Sequence, residues 1–161
     1  MATPNVKDLE VLKSTRETEE RNKELLRHYY QELDKTVVLD KFIEKFISSD
    51  FILHLPGGVE IKGEKGLHDY YVNSKKAFTN GTHTIEEVIA ERDRVAFRAT
   101  SQAMHQGEFM GIQPTAKKIK ITFSGFWLVR EGKIVEWWSE YDALGMMQQL
   151  GMELTSKEAD H

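Results

Sequence analysis

Arg94-Val95-Ala96-Phe97-Arg98-Ala99-Thr100-Ser101-Gln102-Ala103-Met104-His105 decides the fold class of this chain. Successive side chains of a strand point to opposite faces. Val95, Phe97, Ala99, Ser101, Ala103 and His105 share one parity and are mostly apolar, whereas Arg98, Thr100, Gln102 and Met104 share the other. The pattern predicts a long strand with one face on a core. Residues 117–130 repeat it, with Ile119, Ile121, Phe123, Gly125, Trp127 and Val129 set against Lys118, Lys120, Thr122 and Ser124. Residues 83–91 and 133–140 are two further strand-like segments. Arg92-Asp93 and Glu131-Gly132 suit tight hairpin turns, and Gln113-Pro114-Thr115-Ala116 sits in a longer link. In the last segment Ile134, Trp138 and Glu140 oppose Val135, Trp137 and Tyr141, so both faces carry apolar residues. A sheet with two apolar faces points to another subunit on the outer one.

Upstream the period is helical. Ser14 and Glu17 have the spacing of a capping box, and Leu25, Leu26, Tyr29, Tyr30 and Leu33 predict a helix over 15–34. Leu39, Phe42, Ile43, Phe46 and Ile47 make a second stripe. Short strands at 50–55 and 59–62 flank Pro56-Gly57-Gly58. Leu67, Tyr70, Tyr71, Ser74 and Phe78 mark a third helix, stopped by Asn80-Gly81. A closing helix takes Asp142 as N-cap, carries Leu144, Met147 and Leu150, and stops at Gly151. Helices followed by a meander of long strands predict an α+β fold. The expected architecture is a curved antiparallel sheet of five or six strands wrapped over three N-terminal helices, plus a short C-terminal helix. Such a sheet twists as it curls, and the resulting cone has a mouth where a small molecule fits. The expected organisation is a loose arm or a short helix over 1–14, one domain over 15–155 and a flexible tail over 156–161.

Composition narrows the function. The 161 residues carry a net charge of −4 and no block of Lys and Arg, which argues against nucleic acid. No apolar run approaches the roughly 20 residues of a bilayer span, and Met1-Ala2-Thr3-Pro4-Asn5 lacks the apolar stretch of a signal peptide. A cytoplasmic protein without membrane contact is expected. The absence of cysteine excludes disulfides, thiolate metal sites and a thiol nucleophile. No two histidines have metal-ligand spacing, Gly63-Glu64-Lys65-Gly66 is not a phosphate loop, and no Gly-x-Ser-x-Gly elbow occurs. We therefore expect no metal and no other cofactor.

Proton-transfer groups can still be placed. Glu140 and Asp142 are the carboxylates near the end of a pocket strand, where burial would raise a carboxylate toward neutrality. Glu140 shares parity with Trp138, and Asp142 serves equally as a helix cap. His105 ends a strand on the apolar face, and imidazole titrates in the range useful for proton transfer. His54 ends the first short strand on the parity of Ile52; His83, one residue beyond a turn, has the weakest case. Phe97, Ala103, Ile119, Phe123, Trp127 and Trp138 complete the expected pocket with His54. Its aromatic rings serve as core or as a stacking wall for a planar ligand.

His105-Gln106-Gly107-Glu108-Phe109-Met110-Gly111-Ile112-Gln113-Pro114-Thr115 resembles the His-x-Gly…Gly-Ile-Pro-Pro-Thr-Gly stretch of the SnoaL-like polyketide cyclases. Gly132-Lys133-Ile134-Val135-Glu136, Trp138, Asp142, Leu144-Gly145 and Gln149-Leu150-Gly151 resemble that family's C-terminal signature. Asn22-Lys23 and His54-Leu55-Pro56 also suit it, so the resemblance covers roughly residues 20–151. It implies the cone-shaped fold of the nuclear-transport-factor-like superfamily, with homodimers or homotetramers packed sheet against sheet. It also implies cofactor-independent aldol closure of a polyketide ester by an acid/base carboxylate, with His105 in the pocket. The family's carboxylate lies on the strand after the Pro-Thr-Gly turn. This chain has no Asp or Glu between Glu108 and Glu131, and Ala116 replaces the usual Gly. Three functions follow as alternatives. The first is proton-transfer catalysis on a small apolar or aromatic carbonyl compound, by His105 with Asp142 or Glu140, in a cyclase, isomerase, dehydratase or hydrolase. The second is binding without catalysis, and the third is an oligomerisation module.

Overall fold

The computed structural model describes residues 5–153 and 155. Helix α1 (Val6–Leu33) leads into α2 (Leu39–Phe46), strand β1 (Ile47–Leu55), a 3-10 turn (Pro56–Gly58), β2 (Val59–Lys62) and α3 (Gly63–Ala77). Four longer strands follow, β3 (Phe78–Glu91), β4 (Arg94–His105), β5 (Lys118–Arg130) and β6 (Lys133–Tyr141), and then α4 (Ala143–Gln149). The strands form one sheet in the order β2-β1-β6-β5-β4-β3. Neighbours pair antiparallel except β1 and β6, which run parallel because the chain returns to β1's side after the whole meander. The sheet is therefore mixed and unclosed, a curled α+β cone rather than an all-antiparallel barrel.

Several boundaries differ from expectation. α1 starts at Val6 instead of residue 15, because Asn5 and Asp8 make their own reciprocal capping box ahead of Ser14 and Glu17. Of the loose arm or short helix expected there, the helix is what forms, continuous with the rest of α1. Its first half leaves Val6, Leu9, Val11 and Leu12 exposed, which is why the sequence there shows no core-facing stripe. Ile47 opens β1 instead of ending α2, and Phe78 opens β3 five residues before the expected start. The expected tail, 156–161, lies outside the described residues. The hairpins fall where expected: Arg92 and Glu131 take positive φ, at 54° and 49°.

Parity works as read for β4 and β5. Val95, Phe97, Ala99 and Trp127, Val129 are buried on the concave side, and Arg98 is exposed on the outer one. Tyr29 and Tyr30 from α1, Phe42 and Phe46 from α2, and Trp127 and Trp137 from the sheet fill the cone with mutually tilted rings. Burying each such ring contributes about 1.5–3 kcal/mol. A smaller cluster at the wide end packs Ile119, Met146 and Leu150 against Phe78, Phe109, Ile121 and Tyr141. α1 is pinned to the β3–β4 hairpin by Asn22 Nδ2, which donates to the Arg92 carbonyl at 3.0 Å, and by Glu19, which accepts the Arg92 amide. No helix is long and apolar enough to cross a membrane among the described residues.

Candidate active site

The last turn of α1 sets Tyr30 and Asp34 one turn apart, facing the start of β3. Asp34 accepts the backbone N–H of His83 at 2.9 Å through Oδ2, while its Oδ1 lies 2.5 Å from His83 Nδ1. The two side chains are only 17% and 20% exposed. This clamp fixes the imidazole in one orientation with Nδ1–H toward the carboxylate, leaving Nε2 as the atom able to take a proton. His83 lies across from Ser101 in the sheet, on the concave parity. Its ring sits 5.0 Å from that of Tyr30 and 5.8 Å from that of Phe123. Asp34 is placed against the local electrostatics: a carboxylate at a helix C-terminus opposes the macrodipole, and the last turn of α1 has no basic residue. Lys75 Nζ reaches the Leu33 carbonyl there at 3.2 Å. An acidic C-cap followed by a histidine at a strand start was the sequence signal available for this pair, but its 49-residue separation hid it.

The other groups singled out from the sequence do not converge. Asp142 is the N-cap of α4 and accepts the Gly145 amide at 2.8 Å, in an exposed position. An added Cβ at Gly145 would collide with that carboxylate, so the Gly and the cap belong together. Glu140 is exposed and pairs with Ser124 on the outer face. His105 is fully buried on the concave parity, yet its Nδ1 accepts the Thr115 amide at 3.2 Å and its ring packs on Phe78 at 5.3 Å. It anchors the β4–β5 link, and Nε2 finds no partner among the described residues. Gly107 next to it is required, since a Cβ would run into the Lys76 carbonyl.

His54 and Trp138 lie on the outer face rather than in the cone. The parallel β1–β6 pairing puts His54 opposite Trp138, and Trp138 pairs with exposed Phe126. His54 stacks on Trp138 at 5.2 Å and lies 2.8 Å from Glu136 and 3.5 Å from Glu60. It is Trp137 that turns inward, opposite Trp127. Phe97, Ala103, Ile119, Phe123 and Trp127 do line the concave side, with Phe123 and Tyr141 paired near the mouth. Burial pushes the phenols of Tyr29, Tyr30 and Tyr71 well above the usual tyrosine range, and that of Tyr70 up to about 12. Two open surface grooves flank α1, one around His28, Gln31 and Lys35 and one around Thr18 and Arg92, and neither contains the His83–Asp34 pair. Among the described residues no group of three or more His, Asp or Glu side chains is arranged to hold a metal ion.

A curled mixed sheet over helices defines a cone-fold α+β protein of the nuclear-transport-factor-like kind. The chain belongs to the SnoaL-like polyketide cyclase family, whose model matches residues 24–150. It is similar to IdmH from Streptomyces antibioticus, at 26% identity over 81% of this chain and 98% of that one, with a TM-score of 0.71. AclR from Streptomyces galilaeus matches at 28% identity over 86% and 85% of the two chains, TM-score 0.72. A SnoaL-like protein from Jannaschia sp. CCS1 shares the fold at 16% identity, covering 85% and 96%, TM-score 0.77. No curated protein sequence matches the chain.

Proposed function

We propose that this protein takes a proton from a carbon acid, a small apolar or aromatic carbonyl compound, with His83 as general base and Asp34 as the group that orients it. The observation that carries this reading is the double clamp of Asp34 on His83, which presents Nε2 on the concave side beside Tyr30 and Phe123. The enolate so formed is the nucleophile for an aldol closure, and no cofactor enters the step. Family membership supports a cyclase- or isomerase-type reaction. IdmH is provisionally assigned as a polyketide cyclase and AclR as a hydroxylase, so the relatives agree on the fold more than on the chemistry. In place of the missing carboxylate on β5, His83 and Asp34 supply the acid/base pair of this reading.

The test is proton exchange. An aromatic β-keto ester in D2O, followed by NMR, should lose its α-proton faster with wild-type protein than without it. His83→Asn should abolish the acceleration. No acceleration across a panel of such esters would instead favour a role without catalysis, and the aromatic rings that fill the cone then favour an oligomerisation module.

The outer face supports a second copy of this chain as partner. A row of paired positions, Ile89, Ala96, Phe126, Trp138 and His54, crosses the sheet there, and Ile89 and Phe126 are 65% and 58% exposed. Such a surface on a sheet suits a two-fold contact.

A further inference from the structure

The front of α1 runs on past the sheet it serves. The hairpin tip holds the helix through Asn22 and Glu19 on the Arg92 backbone, and Ser14, Thr15 and Thr18 border an open groove beside Arg92 and Asp93. Every residue from 5 to 14 is exposed. At about 1.5 Å per residue, residues 6–18 carry the helix about 20 Å beyond that hold. They also lie ahead of the family match, which begins at residue 24. A helical stretch this short is marginal in water unless something packs on it. Its free end is nevertheless closed by the reciprocal cap of Asn5 and Asp8.

Two features set this arm apart from an ordinary solvated helix. It crowds four large apolar side chains into residues 6–12, with Leu9 and Leu12 52% and 58% exposed between Val6 and Val11. Its charges also stand alone. Further along α1, Lys23 pairs with Glu20 and Arg27 with Glu24. In the arm, Lys7, Lys13, Arg16 and Glu17 form no ion pair among the described residues, and Asp8 uses Oδ2 on the cap and leaves Oδ1 open. These side chains have an order. Asp8, Leu12 and Arg16 stand four residues apart and make one ridge, with Leu9 beside Leu12. Ridges of that spacing interdigitate where two helices pack. This one reads acid, leucine, base, so turned end to end it complements itself.

We propose that residues 6–16 of α1 are a self-association arm whose partner is the same arm of a second copy of this chain. A two-fold axis at Leu12 lays the two helices antiparallel. Leu12 then meets Leu12, Asp8 of each copy faces Arg16 of the other, and Leu9 of each packs beside the leucine pair. Charge selects this arrangement, because parallel arms would set Asp8 against Asp8 and Arg16 against Arg16. A two-fold contact is closed, so it joins copies in pairs and does not propagate. Two half-helices fall short of the roughly 1,200–2,000 Å² that a stable interface buries, so the contact is weak and a covalent trap reads it best. It uses neither His83 nor the outer face of the sheet, and it stands or falls apart from both.

The chain has no cysteine, so one introduced thiol reports one contact. Leu12→Cys, treated with copper phenanthroline in air, should give a disulfide-linked dimer on a non-reducing gel. It should do so at least about tenfold faster than Glu10→Cys, because only the former brings two Cβ atoms within the roughly 4 Å that a disulfide spans. Glu10 lies on the far side of the helix from Leu12, two residues being about 200° of turn. Adding Arg16→Glu to Leu12→Cys should slow the linking by about fivefold, since repulsion replaces two ion pairs. All three positions are exposed, so each variant should melt close to the wild-type temperature, and a folding defect cannot imitate the result. The lead of Leu12→Cys over Glu10→Cys should persist when Phe126→Glu is added to both, which separates the arm from the outer face. Equal rates for the two thiols, or no effect of Arg16→Glu, overturns the arm and leaves its apolar side chains to solvent or to a partner of another kind. A lead that disappears with Phe126→Glu overturns it too, since the helices would then meet only through the sheet.

Discussion

Two histidine–carboxylate pairs sit on opposite faces of the same sheet, and they differ in what surrounds them. His83 with Asp34 lies on the concave face, at 2.5 Å; His54 with Glu136 lies on the outer face, at 2.8 Å. Their exposures are close, 20% against 27% for the imidazoles. The geometry of each pair taken alone does not tell them apart. Their second nitrogens do. His83 keeps Nε2 clear of carboxylates beside Tyr30 and Phe123, whereas the other nitrogen of His54 faces Glu60 at 3.5 Å and the ring lies flat on Trp138. An imidazole oriented by one acid and open on its other side can exchange a proton with a ligand. One held between two acids on an aromatic plate is part of a surface.

The sharpest way to break this comparison is to change one carboxylate on each face. Asp34→Asn keeps an acceptor for the His83 amide but turns a donor toward Nδ1, reversing the tautomer, and should cost about 10²–10⁴-fold in exchange rate. Glu136→Gln should leave that rate within about twofold while touching the outer surface only. Equal losses in the two variants would end the distinction.

Next in size is the effect of Phe126→Glu. A charge in the centre of the outer row should weaken self-association by about tenfold or more, read as a shift toward monomer in light scattering after size exclusion. The exchange rate per chain should not change. A wild-type protein already monomeric at high concentration would remove the outer face as an interface.

Smaller still, Asp142→Ala should cost about 1 kcal/mol of stability in denaturant unfolding, the worth of a helix N-cap. It should leave exchange untouched, which separates the cap from a catalytic carboxylate. The remaining expected change is confined to alkaline pH. Tyr70 has its phenol raised by burial to about 12 from its ordinary 10.0. The folded state therefore holds the proton more tightly than the unfolded chain. Its contribution is fully present below pH 10 and is lost as pH rises from 10 to about 12. Tyr70→Phe should flatten that part of the stability profile in pH-dependent melting.

The sequence by itself determined the class of fold. Parity in residues 94–105 and 117–130 is local information, since one buried face imposes period two wherever the strand later pairs. Helical stripes, hairpin turns and the Asp142 cap were legible for the same reason. The family resemblance carried by His105 to Thr115 and by the C-terminal signature came from short motifs such as Gly107, where backbone packing tolerates no side chain. Only the tertiary structure decided the site. β6 is apolar on both parities, so nothing in residues 133–140 could choose between Trp137 and Trp138 as the inward ring. The parallel pairing with β1 made the choice and carried His54 outward with Trp138. Asp34 and His83 lie in different elements, and each taken alone looks like an ordinary residue at the end of a helix or a strand. What joins them is the angle at which α1 crosses the start of β3, set by Leu26, Tyr29, Tyr30 and Leu33 packing into the cone. A pair made by packing leaves no period in the chain, and its meaning exists only once the helix is laid on the sheet.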